Sequence, residues 1–196
     1  VRVNDTKNEY AVDNGNMENF GKSPVDVHAE GDIVVDLNHN VANVSDGSVH
    51  VEQPLGEGTL KTDVSVDKNG QLRVDKNGNI DGEGSVHFEQ EVVNKEGDSV
   101  GKITVNGDQI HKEGKITTIT DENGNTITVK PDENGMDVTV KKPDGSKSEV
   151  HSDGEIVVKP DGSVDVKIDD GEHVKITPPG HDVKVPGGAD VMVNPD

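Results

Sequence analysis

From Asn123 to Ile176 apolar and polar residues alternate. Ile127 and Val129, then Met136, Val138 and Val140, then Val164, Val166 and Ile168, then Val174 and Ile176 take every second position, with Thr126, Thr128, Lys130, Asp137, Thr139, Lys141, Asp165 and Lys167 between them. A period of two is what a strand shows when one face is buried and the other wet. Turn glycines (Gly124, Gly135, Gly145, Gly154, Gly162, Gly171) separate the runs at steps of 11, 10, 9, 8 and 9 residues. That step is a short strand plus a tight turn, so the pattern predicts successive antiparallel hairpins.

Twelve Asn-Gly or Asp-Gly steps punctuate the chain, from Asn14-Gly15 to Asp170-Gly171. Both residues of such a step tolerate positive φ, as a two-residue type I′ turn demands, and I′ hairpins are therefore expected. Residues 29–100 repeat the idea more loosely. GSVHVEQ at 47–53 returns as GSVHFEQ at 84–90, VDKNG at 66–70 returns at 74–78, and GDIVVD at 31–36 is echoed by GEIVVK at 154–159. Repetition of this kind suits a chain grown by duplicating strand-turn units, and the offset of 8 also fits the coils of a β-helix.

The expected fold class is all-β: repetitive antiparallel hairpins in a meander that forms an elongated sandwich or sheet stack, with a β-helix or β-solenoid, single or trimeric, as the alternative. Three segments are expected. Residues 1–28 break the rhythm and hold Tyr10 and Phe20, which marks them as an N-terminal arm able to dock on a partner by strand addition. Residues 29–100 form an irregular β-repeat region and residues 101–196 a regular hairpin region, an arrangement that one continuous elongated domain also accommodates. Two short strands, at Val183–Val185 and Val191–Val193, are expected to close a sheet edge or offer one to a partner.

Composition narrows this picture. Only 29% of residues are apolar and 2% aromatic, with one Tyr, two Phe and no Trp, so the core has to be thin and built mostly from Val. A net charge of −20 at such low hydrophobicity is also a mark of disorder, against which the strict alternation speaks. One apolar face per sheet must be covered by a second sheet or another subunit, and that face is where function is expected. Order without a thick core points to help from repetition, a partner chain or metal ions. Cysteine is absent, so neither disulfides nor a thiolate site contribute.

Charge and apolar run length exclude several partners. Apolar stretches reach three residues, as at Ile33-Val34-Val35, far short of the roughly 20 that cross a bilayer as a helix, and no membrane insertion is expected. Against 39 acids stand 19 Lys and Arg, so no nucleic-acid partner is expected either. The first residue is Val1 and no charged segment precedes an apolar stretch, which fits a removed leader or a fragment of a longer chain.

Acidic turns are the one candidate site class. Asp75, Asn77, Asn79, Asp81 and Glu83 place oxygens at alternate positions, as a Ca²⁺ loop does, although Ile80 stands where an EF-hand needs Gly and the bidentate Glu is absent. Ordinary turn chemistry explains the same residues. Eight His are scattered singly at 28, 39, 50, 87, 111, 151, 173 and 181, without zinc-ligand spacing. Gly97-Asp-Ser-Val-Gly101-Lys102 is one residue too short for a phosphate loop and lacks the following hydroxyl residue. No nucleophile motif and no single carboxylate dyad stands out. The expectation is thus a secreted structural protein, an acidic β-rich subunit that self-assembles as a homo-oligomer or filament at the cell surface or outside the cell, and not an enzyme. A Ca²⁺-dependent adhesion module and a trimeric β-helical fibre or spike of the phage type are the alternatives.

Overall fold

The computed structural model describes residues 2–4, 9–17, 20, 24–36, 38–167, 173–176, 180–185 and 192–194, with side chains at 15–17, 20, 24–36, 38–167 and 174–176. They form strands and turns and no helix. The strands are β1 (Arg2–Asn4), β2 (Glu9–Met17), β3 (Asp26–Asp36), β4 (Val41–Leu55), β5 (Gly58–Val66), β6 (Gln71–Asp75), β7 (Ile80–Val93), β8 (Ser99–Glu113) and β9 (Ile116–Thr120). There follow β10 (Thr126–Asp132), β11 (Gly135–Lys141), β12 (Lys147–Ser152), β13 (Glu155–Val158), β14 (Val164–Lys167), β15 (His173–Ile176), β16 (Gly180–Val185) and β17 (Met192–Asn194). The chain is all-β, and all seventeen strands join in one hydrogen-bonded sheet. Every pairing is antiparallel except β8 with β13 and β12 with β16. Antiparallel hairpins, rather than the coils of a β-helix, carry the chain.

Four strands run through two wings of this sheet. β3, β4, β7 and β8 are 11, 15, 14 and 15 residues long. One end of each pairs into a first wing with β6 and with β9 to β12. The other end pairs into a second wing with β5, β13 and β14. The wings fold onto one another, and residues of both make one apolar cluster, from Val27 and Ile33 to Val166 and Ile176. The segments 29–100 and 101–176 therefore share a core.

Bulges at the corners keep the apolar side inward as a strand changes layer. In β4 the buried positions pass from Ala42 and Val44 to Val49, Val51 and Leu55, and in β8 from Ile103 and Val105 to Ile110 and Lys112. An extra residue at the corner shifts the pleat by one, and strands that switch sheets in this way form the closed edges of a sandwich. Glycine makes the corners narrow enough. A Cβ on Gly47 would fall 1.9 Å from the Glu30 carbonyl oxygen, and one on Gly107 would fall 2.4 Å from Ile119 Cγ2.

These corners correct the expected role of the Asn-Gly and Asp-Gly steps. Asn14-Gly15, Asp46-Gly47, Asp81-Gly82 and Asn106-Gly107 lie inside strands, not in hairpin turns. Where such steps do turn the chain, the turn is not type I′. The N–H groups of Gly78, Gly124, Gly145 and Gly162 donate to the carbonyls of Asp75, Asp121, Lys142 and Lys159 at 2.9–3.1 Å, and in each turn only the glycine has positive φ. This is a type I turn followed by a left-handed glycine, the three-residue hairpin loop. The first turn residue explains the choice in two of them. The carboxylates of Asp75 and Asp121 accept from N–H groups two and four residues on, at 2.9–3.0 Å. In the other two, Pro143 and Pro160 fix the right-handed φ that a type I turn needs at its second position.

The expected faces agree with the observed ones. Ile127, Val129, Met136, Val138, Val140, Val164, Val166 and Ile176 are buried, while Thr126, Lys130, Asp137, Lys141 and Lys167 are not. Ile168 lies outside the described residues.

Candidate functional site

The apolar sheet surface is consumed inside the chain. Among the described residues the large apolar side chains left exposed are Val34 and Ile116, at 39% and 47%. The face expected to await a partner is therefore covered, because the corners let one chain supply both layers. Chemistry has to be sought on the polar outer faces.

On the outer face of the second wing, strand register builds a row of alternating charge. Glu52 of β4 is the cross-strand partner of Lys61 of β5, which is paired with Glu91 of β7, then Lys102 of β8, Glu155 of β13 and Lys167 of β14. None of the six is buried. In the next row His50 of β4 faces Asp63 of β5. Its Nδ1 lies 2.6 Å from Asp63 Oδ1 and its Nε2 3.0 Å from Glu52 Oε2. The Asp63 carboxylate, aided by Glu52 against partial burial, raises the His50 imidazole to about 9, so this His is a cation at neutral pH.

Other histidines follow the same plan. His111 Nδ1 is 2.5 Å from Asp81 Oδ1 across β7 and β8, with Glu113 3.7 Å from Nε2, and Asp81 raises its pKa. His87 Nδ1 is 2.7 Å from Asn106 Oδ1, and its Nε2 is 3.4 Å from Glu89. In all three the acceptors sit on opposite sides of the ring and hold it in place. His151 differs. Its Nδ1 is 2.5 Å from Asp137 Oδ1, and one ligand atom each of Asp132, Asp137 and His151 lie within 4.8 Å of one another. Neighbouring strands β10, β11 and β12 thus bring three ligands to one place.

Of the five residues expected to hold Ca²⁺, the acidic Asp75, Asp81 and Glu83 form no group of converging ligands among the described residues. Both Asp75 oxygens serve the turn itself, accepting from the Asn77 and Asn79 N–H groups and from Asn79 Nδ2 at 2.9–3.0 Å. Asn79 Oδ1 accepts from the Gly114 N–H, at 2.8 Å. Asp81 is held by His111 on the outer face, and Glu83 lies at the corner of β7. Next to this turn sits the buried Lys112, whose Nζ donates to the Gly78 and Gly114 carbonyls at 3.0 and 2.7 Å. Burial lowers Lys112 to about 8, against the opposing charge of Asp75. An ammonium group already occupies the carbonyl side of the turn.

An open cleft of about 320 Å³ lies where β7 and β8 turn the corner, lined by Ser85, His87, Asn106, Asp108, Asp121 and Glu122. Its imidazole is engaged by an amide and a carboxylate, and its acidic wall favours cations. Phe20 is half-buried against the chain's own core, its N–H donates to the Val27 carbonyl at 3.0 Å, and Lys76 Nζ stands 5.8 Å from its ring centre. Tyr10 is in β2, which adds to β1 and β3 of the same chain; its side chain lies outside the described residues.

Sequence patterning found the wet positions but neither the charge row nor the Asp132–Asp137–His151 group. Both need the strand order, in which β5 lies between β4 and β7, and β13 lies beside β8. No protein-family model, curated protein or solved structure matches this chain.

Proposed function

We propose that the protein is a structural subunit without enzymatic activity, which assembles with copies of itself into an extracellular fibre, sheath or matrix. One observation carries this reading: a single chain closes its apolar sheet surface and presents outward a regular array of cross-strand carboxylate, lysine and histidine side chains. Contacts between copies are then polar. Edge strands add a second route, since among the described residues β15 pairs only with β14 and β17 only with β16, and unpaired strand edges accept further strands. Multi-angle light scattering behind a sizing column tests the reading at neutral pH and moderate salt. Masses at multiples of 20.8 kDa that grow with concentration are expected; one 20.8 kDa species across the whole concentration range would overturn it.

The second reading is a metal-dependent binding module, and the convergence of Asp132, Asp137 and His151 favours it over the Asp75 turn. An imidazole with two carboxylates suits Zn²⁺ better than Ca²⁺, which takes oxygen ligands. Titration calorimetry should show one Zn²⁺ bound per chain, weakened at least tenfold in His151→Ala and unchanged in His50→Ala. Equal binding by all three proteins would remove the site.

A further inference from the structure

We propose that the charged face of the second wing is a self-association surface, on which two copies meet about a twofold axis that runs between β7 and β8. This rests on the assembly reading and names its contact. The row Glu52, Lys61, Glu91, Lys102, Glu155, Lys167 crosses six neighbouring strands with strictly alternating sign. Strands lie about 4.8 Å apart, so the row is a line of charges at that spacing.

A twofold axis parallel to the strands, placed between the third and fourth of them, carries each position onto one of opposite charge. Glu91 then faces Lys102 of the second copy, Lys61 faces Glu155, and Glu52 faces Lys167. With the reciprocal contacts this makes six pairs in an isologous interface. The row of His50 and Asp63 agrees. The same axis sets His50 opposite Asp165, Asp63 opposite Val157, and Glu89 opposite Thr104. No like charges meet in either row. On a chain of net charge −20, a row with as many lysines as glutamates is where a second copy is least repelled. At about 0.15 M salt the Debye length is near 8 Å, which screens the remote charges of two copies more than the facing ones.

Two charge-neutral exchanges separate this interface from assembly in general. In the double variant Lys61→Glu with Glu91→Lys, residue 61 faces Glu155 of the other copy and residue 91 faces Lys102, so four of the six pairs become repulsive. In Glu91→Lys with Lys102→Glu the two exchanged residues face each other and all six pairs survive. Each exchange leaves the net charge alone and sets like charges side by side within the sheet. Sedimentation equilibrium, with circular dichroism to confirm folding, should show association weakened at least tenfold in the first variant and retained in the second. Association of the first variant as tight as the unaltered protein overturns the interface while leaving the assembly reading intact. Loss of association in both variants overturns the placement of the axis. An unaltered protein that never associates overturns the assembly reading, and the interface with it.

Discussion

Lys112 is the least expected residue in the core. An ammonium group loses most of its hydration there, and two backbone carbonyls at 3.0 and 2.7 Å with a nearby Asp75 make up only part of the loss. The linkage has a definite sign. With the folded pKa near 8 against 10.5 unfolded, the unfolded chain binds more protons between those values, so stability rises with pH across that window. Below it the full cost of burying the charge is present. Relative to Lys112→Met, the unaltered protein should therefore gain on the order of 3 kcal/mol between pH 8 and 10.5. Urea unfolding of both proteins at three pH values checks this, and parallel stability curves would contradict it. Lys112 was hidden in the sequence because it follows His111 and precedes Glu113 in a stretch that reads as wet. Only the switch of the inward positions of β8 from Ile103 and Val105 to Ile110 and Lys112, at the corner where β7 is bulged against it, shows it facing the core.

Among the elements, the corners decide the fold. The period-two pattern identified the strands and the inward residues Ile127, Val129, Met136, Val138, Val140, Val164, Val166 and Ile176, because on those strands nothing interrupts the pleat. It did not show that β4 and β8 each serve two layers, since a bulge of one residue looks like a break in the pattern. Nor did it show the turn type. The Asn-Gly dipeptide suits I′ turns in isolation, but a preceding Asp that caps the turn, or a Pro at its second position, selects type I with one left-handed glycine. Two glycine substitutions separate corner from turn. Gly47→Ala drives a methyl into the Glu30 carbonyl and should cost about 3 kcal/mol, the upper range for overpacking. Gly97→Ala meets nothing within 4 Å and bears only the positive φ of 89°, worth about 1–2 kcal/mol. Urea midpoints should fall further for the first; equal losses would mean that the corner yields.

At the scale of the molecule, composition and structure together move the functional surface. A thin Val core and almost no aromatics suggested a sheet with an apolar face left for a partner. Instead one chain folds its sheet across itself, and the outer surface carries the signal. That signal was out of reach of the sequence because Glu52 and Glu155 are brought into one row only by pairings far apart along the chain, including the parallel pair β8–β13. In the assembly we propose, copies join through matched charges and not through apolar stacking. Its most direct test is sedimentation velocity of the unaltered protein beside the Lys61→Glu, Glu91→Lys variant, at neutral pH and about 0.15 M salt. The unaltered protein should sediment as species larger than the 20.8 kDa chain and the variant as that single chain; identical boundaries for the two would contradict it.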